Sequence, residues 1–399
     1  MTAKHPDPKI EFLRQAMSRR GFLGAVGATG AAAALAACGT GGSTSGDSGG
    51  DSGSGGGDNK TITWANWTLY LDYDEESRTF PTLVAFEEET GYTVEYREDI
   101  DDNVTFNGKV APQLANGQNI GYDLVTPTDW LVAEWIAKGY AAEIDAANVP
   151  NKANILPALN DVEFDPGRKY SLTWQSGFGG LAWNKDRVPN GLTSVDDLWA
   201  PELKGKVVVL SEMRDTVGLI MMSQGVAIDQ PFTEEQFNAG LAVLEQQVDS
   251  GQVKQVKGNS YKEDLINEQA WAAIGWSGDI FQINAEEGDK WDFALPDTGG
   301  TLWSDNLLIP TTATNKSGAE ALMDYYYRPD VAAEVAAYVN YVCPVQGAQE
   351  EMQKIDPELA KSEWIFPTDA ILSNAQVFRP LTPEEQAAYS EAFGRVIQG

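Results

Sequence analysis

Eight residues of this 399-residue chain pair flat aromatic faces with carboxylates: Trp67, Tyr70, Trp130, Trp276 and Trp303 on one side, Glu212, Asp215 and Asp305 on the other. An aromatic ring covers methylene groups and attracts an ammonium group through its π face, at roughly 0.5–2 kcal/mol per contact. A carboxylate makes charge-assisted hydrogen bonds with ammonium donors. Such a set suits a ligand of methylenes punctuated by positive nitrogens, an aliphatic polyamine, and three carboxylates match a triamine in charge. Taken singly, each residue has a plainer explanation. A Trp at a strand end packs a core, Glu212 and Asp215 at a helix start are favoured by the helix dipole, and Asp305 reads as a turn residue.

The elements that must position these groups follow from hydrophobic periodicity. Thr61–Ala65 alternates like a strand, and 80–90 has helical spacing that stops at Gly91. Strands are also predicted at 93–96, 122–126, 207–210, 271–275 and 307–309, with helices over 131–138 and 216–224. This βαβα rhythm predicts an α/β fold with largely parallel sheets. Ligands in such sheets sit beyond the carboxyl ends of the strands. The aromatic and acidic residues fall at five such places: after 61–65, 122–126, 207–210 and 271–275, and just before 307–309.

The first 59 residues are of another kind. Ser18-Arg19-Arg20-Gly21-Phe22-Leu23 precedes an Ala/Gly-rich apolar run, the pattern of an export signal of the twin-arginine type over 1–37. That run is too short and weakly apolar for a comfortable membrane span. Leu35-Ala36-Ala37-Cys38-Gly39 resembles a bacterial lipobox, which makes Cys38 the lipidation point. Residues 39–59 are nearly all Gly, Ser, Thr and Asp, a flexible tether that reaches roughly 25 Å.

Charge and composition exclude several functions. The formal net charge is −31, and residues 1–37 hold more basic than acidic groups, so the exported chain is more acidic still. Nucleic acid is an unsuitable partner, while cationic solutes are attracted. The one histidine, His5, lies in the export segment, which removes Ser-His-Asp and Cys-His catalysis and His-ligated zinc from the mature chain. Only Cys343 remains beside Cys38, so no intramolecular disulfide is expected. Cys343 reads as a small buried residue. No phosphate-binding Gly-x-x-x-x-Gly-Lys-Ser/Thr loop is present, so any energy source belongs to another subunit. No cofactor or metal is expected.

Several segments resemble the family of periplasmic spermidine/putrescine-binding proteins, the solute-binding components of ABC importers. Asn66-Trp67-Thr68-Leu69-Tyr70 resembles the family's N-W-T-x-Y, and 122–128 its Y-D-L-V-x-P-S. Residues 196–206 resemble D-L-W-x-P-E-x-K-G, and Trp303-Ser304-Asp305 with Ile309-Pro310 resembles W-x-D-x-x-x-I-P. Arg328-Pro329-Asp330-Val331-Ala332 matches a family helix start, and Tyr341 and Gln346 lie in a segment like its second crossover. The resemblance implies ligand contacts at Trp67, Thr68, Tyr70, Thr128, Trp130, Glu212, Asp215, Trp276, Trp303, Asp305, Tyr341 and Gln376. The chain departs from the family where Glu212 replaces Asp, Asp215 replaces Glu, Trp130 replaces Tyr and Thr128 replaces Ser. These changes bear on which amine is preferred more than on the ligand class.

The fold implied is the two-lobed type II binding-protein architecture, with the ligand in the interdomain cleft. The N-lobe is expected over 60–172 and 305–345, and the C-lobe over 173–304 and 346–399. The chain is expected to be no enzyme but a monomeric, lipid-anchored, extracytoplasmic binding protein that docks on a membrane permease driven by an ATPase. Another cationic or zwitterionic solute on the same scaffold is the first alternative. Ferric iron at Tyr325-Tyr326-Tyr327 is disfavoured, because consecutive helical residues point different ways. A secreted hydrolase with paired carboxylates is the enzymatic alternative. The lipobox, the tether and the importer-like segments speak against it.

Overall fold

The structure, a computed structural model, describes residues 60–398. The expected export signal, the expected lipidation point Cys38 and the expected tether lie outside the described residues. One large sheet organises the chain. Its strands are β1 (Thr61–Trp67), β2 (Thr93–Ile100), β3 (Leu124–Val125), β6 (Ser171–Asn184), β7 (Val207–Leu210), β8 (Val253–Lys257), β9 (Ala272–Trp276), β10 (Trp291–Ala294), β11 (Gly300–Leu308) and β12 (Ala375–Gln376). A separate two-stranded hairpin pairs β4 (Asp161–Val162) with β5 (Asp165–Pro166). The order across the sheet is β2-β1-β3-β11-β6-β9-β7-β8, with β10 beside β6 and β12 beside β11.

The flanks are parallel, as the βαβα rhythm predicts: β1 with β2 and β3, and β7 with β8 and β9. The centre is not. β11 runs antiparallel to β3 and β6, and β6 antiparallel to β9 and β10. All 14 residues of β6 are buried. With both faces covered it has no polar side to alternate, so its mixture of Gly, Ser, Thr and aromatic residues gave no period-2 signal. Trp303 and Asp305 consequently lie within β11, not ahead of a strand. A register shift between Asp305 and Asn306 re-aims the side chains there, as a bulge does.

The apolar residues gather in two cores. The first takes the flank of β1–β3, the start of β6 (Leu172, Trp174), the end of β11 (Leu307, Leu308) and the helices Lys316–Tyr326 and Pro329–Val339. The second takes the rest of β6 from Phe178, the β7–β9 flank and the C-terminal helix Pro383–Gln398. β6 and β11 therefore run through both cores and change core near Gln175–Gly177 and Trp303–Asn306. Ala348, Met352, Ala360 and Ile365 pack in the first core. The stretch 348–365, expected from the sequence in the C-lobe, thus packs with the first core, because the apolar face of the helix Ala348–Ile355 rests against the helix Pro329–Val339, while Phe378, Tyr389, Phe393 and Val396 lie in the second.

Candidate functional site

The site is built where β6 and β11 cross between the cores. At the end of β1, the Trp67 indole N–H donates to the Thr126 carbonyl at 2.8 Å, which fixes the ring against the end of β3. Thr68 follows, and its carbonyl accepts from the Asn259 side chain of the second core at 3.0 Å. Leu69 adopts a left-handed backbone, φ 62°, which a leucine tolerates only when its surroundings over-determine it. Three contacts do so. Its N–H donates to Glu98 at 2.7 Å, its carbonyl accepts from Gln282 at 3.3 Å, and its side chain sits in the second core. Tyr70 comes next and is buried.

Asp305 stands opposite this turn. Thr128 Oγ1 donates to its Oδ1 at 2.6 Å, and Asn103 in turn donates to Thr128 Oγ1 at 2.8 Å. Burial pushes the Asp305 carboxyl up to about 8. The Tyr70 phenol lies beside this carboxyl, and burial drives its own pKa well above the usual phenol value. Its hydroxyl nonetheless finds no partner in hydrogen-bonding geometry.

The second carboxylate group stands at the start of the helix Met213–Ser223, directly after β7. Asp215 accepts from the Trp276 indole N–H at 2.8 Å and from Thr301 Oγ1. Burial raises its pKa. Glu212 caps the helix by accepting from the Arg214 N–H at 3.3 Å, and reaches across to Trp130, whose indole N–H donates to it at 3.3 Å. Burial moves Glu212 to about 7, against the pull of Arg214. The Arg214 guanidinium lies 3.7 Å from Glu212 and 4.5 Å from the centre of the Trp130 ring.

Between these anchors runs a chain of edge-to-face rings. Trp67 meets Trp276 at 6.5 Å, Trp276 meets Trp303 at 6.1 Å, Trp303 meets Tyr341 at 5.3 Å and Tyr341 meets Tyr70 at 5.4 Å. Two glycines make room for it. A Cβ on Gly278 would stand 2.6 Å from the Tyr341 ring, and one on Gly177 would approach Trp303 to 2.5 Å. Buried polar atoms without partners gather here too: Tyr70 Oη, Trp303 Nε1, Asn66 Nδ2, Gln175 Oε1 and Asp279 Oδ2. Gln175 is the register partner of Asp305 on β6, and Asp279 lies beside Tyr341. An unsatisfied buried polar group costs about 1–3 kcal/mol, so their gathering in one place favours a polar guest.

Eleven of the twelve residues named from the sequence thus meet in one region or adjoin it. Gln376 lies on β12 beside Thr301 of β11, whose hydroxyl donates to Asp215, and its Oε1 accepts from the Ile228 N–H at 2.8 Å. The three consecutive tyrosines are packing groups of the first core, with Tyr327 Oη donating to the Thr173 carbonyl at 2.7 Å. Cys343 is buried. Sequence reasoning missed Arg214, Asn259 and the buried pair Lys262–Asp279 at 3.0 Å. Arg214 carried a signal, since it stands between the two carboxylates already chosen. A cavity of about 500 Å³ lies apart, lined by Val149, Pro150, Lys152, Ile155 and Gln346 among others, and shares no residue with the ring chain.

Comparison with known proteins agrees with this geometry. Residues 82–368 match the family model described as bacterial extracellular solute-binding protein. The spermidine/putrescine-binding periplasmic protein of Escherichia coli K12 is 30% identical over 324 residues, 80% of this chain and 86% of that protein. The putrescine-binding periplasmic protein of the same organism is 25% identical over 370 residues, 86% of this chain and 92% of that protein. A solved structure from Listeria monocytogenes, assigned to spermidine/putrescine ABC transport, superposes with a TM-score of 0.74 at 27% identity, covering 84% of this chain and 98% of that one. The two cores are the two lobes of the type II binding-protein fold that these structures share, and the chain belongs to the bacterial extracellular solute-binding protein family.

Proposed function

We propose that this protein is the polyamine-binding lipoprotein of an ABC importer, taking up spermidine, putrescine or a close relative. The observation that carries this reading is the ring chain from Trp67 to Tyr70 flanked by Asp215, Glu212 and Asp305. Methylenes lie on the rings, and the ammonium groups replace the protons or hydrogen bonds that now satisfy the carboxylates. Thr68 and Thr128 orient the ends. The same fold also occurs in a structure described as holding agropinic acid and in one described as a GABA receptor, each under 20% identical to this chain. The fold alone therefore does not choose an amine; the carboxylates between indoles are what support one. Relatives named for spermidine and putrescine support that choice.

In this reading the chain is exported, lipidated at Cys38 and tethered through 39–59 to the outer face of the membrane. It acts as a monomer without catalysis. Ligand closes the lobes by binding the closed form better than the open one, and the closed form docks on the permease. The test is a titration of the purified protein with spermidine, putrescine and maltose, followed by tryptophan fluorescence and calorimetry. Saturable quenching by an amine and not by maltose is expected. Folded protein that responds to neither amine removes the polyamine reading.

A further inference from the structure

Arg168 is wholly buried, yet it carries a charge that an arginine keeps under all ordinary conditions. Its backbone is left-handed, φ 51°, a conformation that persists only where the surroundings over-determine it. Asp165 supplies that constraint. Its carbonyl accepts from the Arg168 N–H at 2.9 Å, and its carboxylate accepts from the Ser171 N–H at 2.9 Å and the Ser171 hydroxyl at 2.8 Å. The guanidinium is thereby aimed at the start of β6. Nε donates to the Leu159 carbonyl at 2.6 Å, Nη1 to Ser171 Oγ at 3.3 Å and to Asn306 Oδ1 at 2.8 Å, and Nη2 to Thr173 Oγ1 at 2.8 Å. These acceptors are uncharged oxygens, and a buried charge bonded in this way is an expensive means of filling a core.

What Arg168 grips explains its placement. Thr173 and Asn306 are register partners on β6 and β11, at the register shift that follows Asp305. Asn306 ties β11 to the segment that carries Thr128 and Trp130. Its N–H donates to the Pro127 carbonyl at 2.9 Å, and its Nδ2 to Oδ1 of Asp129, the first residue of the helix Asp129–Ala137, at 2.7 Å. The neighbouring rung is the Thr128 hydroxyl on Asp305 at 2.6 Å. A side-chain amide has one accepting end and one donating end. With its oxygen held by Arg168, Asn306 presents its donating end to Asp129. Without the guanidinium the amide is free to turn, which sets its oxygen against the Asp129 carboxylate and opens the rung. Desolvation raises the Asp129 carboxyl to about 6, against the pull of Arg168, so above neutral pH it is ionised and can only accept.

We propose that Arg168 is a positioning residue for solute binding: through the Asn306 amide it locks Asp129 and the adjoining Thr128 against β11, and so holds the Asp305 carboxylate where an ammonium group meets it. This inference rests on the polyamine reading above. The guanidinium acts on the solute through Asn306, Asp129 and Thr128.

The test is calorimetric titration of the purified protein with putrescine near pH 7.5, in R168M and R168K and in the same two variants carrying D305N. Thermal melts check that each variant folds. R168M is expected to weaken binding by tenfold or more, and R168K, which still donates to Asn306, by threefold or less. In the D305N background the loss caused by R168M is expected to shrink to threefold or less, because the carboxylate being positioned has already been replaced. A merely structural role lowers affinity by the same factor in both backgrounds, and that result, or no loss in folded R168M, overturns the inference. If R168M fails to fold, D129A against D129N decides. Both remove the charge of Asp129, and only D129N keeps an acceptor for Asn306, so D129A is expected to bind putrescine about tenfold more weakly than D129N. Equal affinity of the two overturns the inference. Wild type that binds neither putrescine nor spermidine fails the underlying reading instead.

Discussion

The Asn259 side-chain amide donates to the Thr68 carbonyl at 3.0 Å, joining a loop of the second lobe to the strand end that carries Trp67 and Tyr70. Around it, Asn259 N–H donates to the Asp101 carbonyl at 3.0 Å and Ser260 N–H to Asp101 Oδ1 at 3.1 Å. These contacts cross the cleft without touching the ring chain, so they stabilise closure itself. Removal of one such hydrogen bond costs about 0.5–1.5 kcal/mol. N259A is therefore expected to weaken amine binding by roughly two- to tenfold through the closed population, with the putrescine-to-spermidine ratio unchanged. Titration of both amines checks this. A changed ratio places Asn259 in ligand recognition instead.

Asp305 separates stability from function. Its carboxylate is buried, and one neutral hydroxyl, Thr128, donates to it at 2.6 Å. D305N keeps the size and removes the charge. The ligand-free variant is expected to melt close to wild type near pH 6, where the Asp305 carboxyl already carries a proton, and to melt higher only above about pH 8, where wild type buries an unpaired charge. Amine affinity is expected to fall by roughly a hundredfold, in the range for loss of a charge-assisted contact in a desolvated site. A melting curve and a titration on the same variant test both halves.

The raised pKa values fix the direction of the pH dependence. Burial holds Asp305 at about 8 and Glu212 at about 7, so near pH 6 both carry protons in the free protein. An ammonium group favours the charged carboxylate. Binding therefore expels protons, and affinity rises with pH between about 6 and 8, by up to about tenfold per unit for each proton released. The stability that these two groups give the ligand-free fold runs the other way. Their folded values lie above the ordinary carboxylate range, so that contribution is full in acid and is lost as pH rises through about 7 to 8. Calorimetry in buffers of different ionisation enthalpy measures the protons directly. Proton uptake on binding would contradict this assignment.

Gly278 and Gly177 give a steric prediction. A Cβ at either position stands well inside contact distance of the Tyr341 or Trp303 ring. G278A is expected to cost about 1–3 kcal/mol of stability, as overpacking does, and to displace Tyr341 from both Tyr70 and Trp303. Near-ultraviolet circular dichroism, which reports the packing of these rings, should change together with the melting point.

The sequence made the flanks of the sheet legible, because β7 and β9 carry short apolar runs and β1 and β2 alternate apolar with polar residues. It made most of the candidate site legible for the same reason: Trp67 and Trp276 end such strands, and Glu212 and Asp215 follow one. What it hid lies in the middle. β6 is buried on both faces and rich in glycine, so no alternation marks it, and without β6 the antiparallel centre and the true position of Trp303 and Asp305 cannot be placed. Arg214 was passed over because a search for groups that attract a cation does not look for one the chain supplies itself. Gln376 gave the weakest signal for another reason: its two-residue strand β12 has no pattern of its own.

β6 and β11 carry both lobes, and the stretch where they change lobe also bears Gln175, Trp303 and Asp305. Under the proposed reading, the residues that grip the solute therefore sit on the two strands that join the lobes. In that reading, selectivity and the rate of solute release are inherited from the same few peptide units, so a substitution that retunes one is expected to retune the other. Escape from that bond runs through the rim, where Asn259, Asp101 and Arg214 can drift while those strands stay intact.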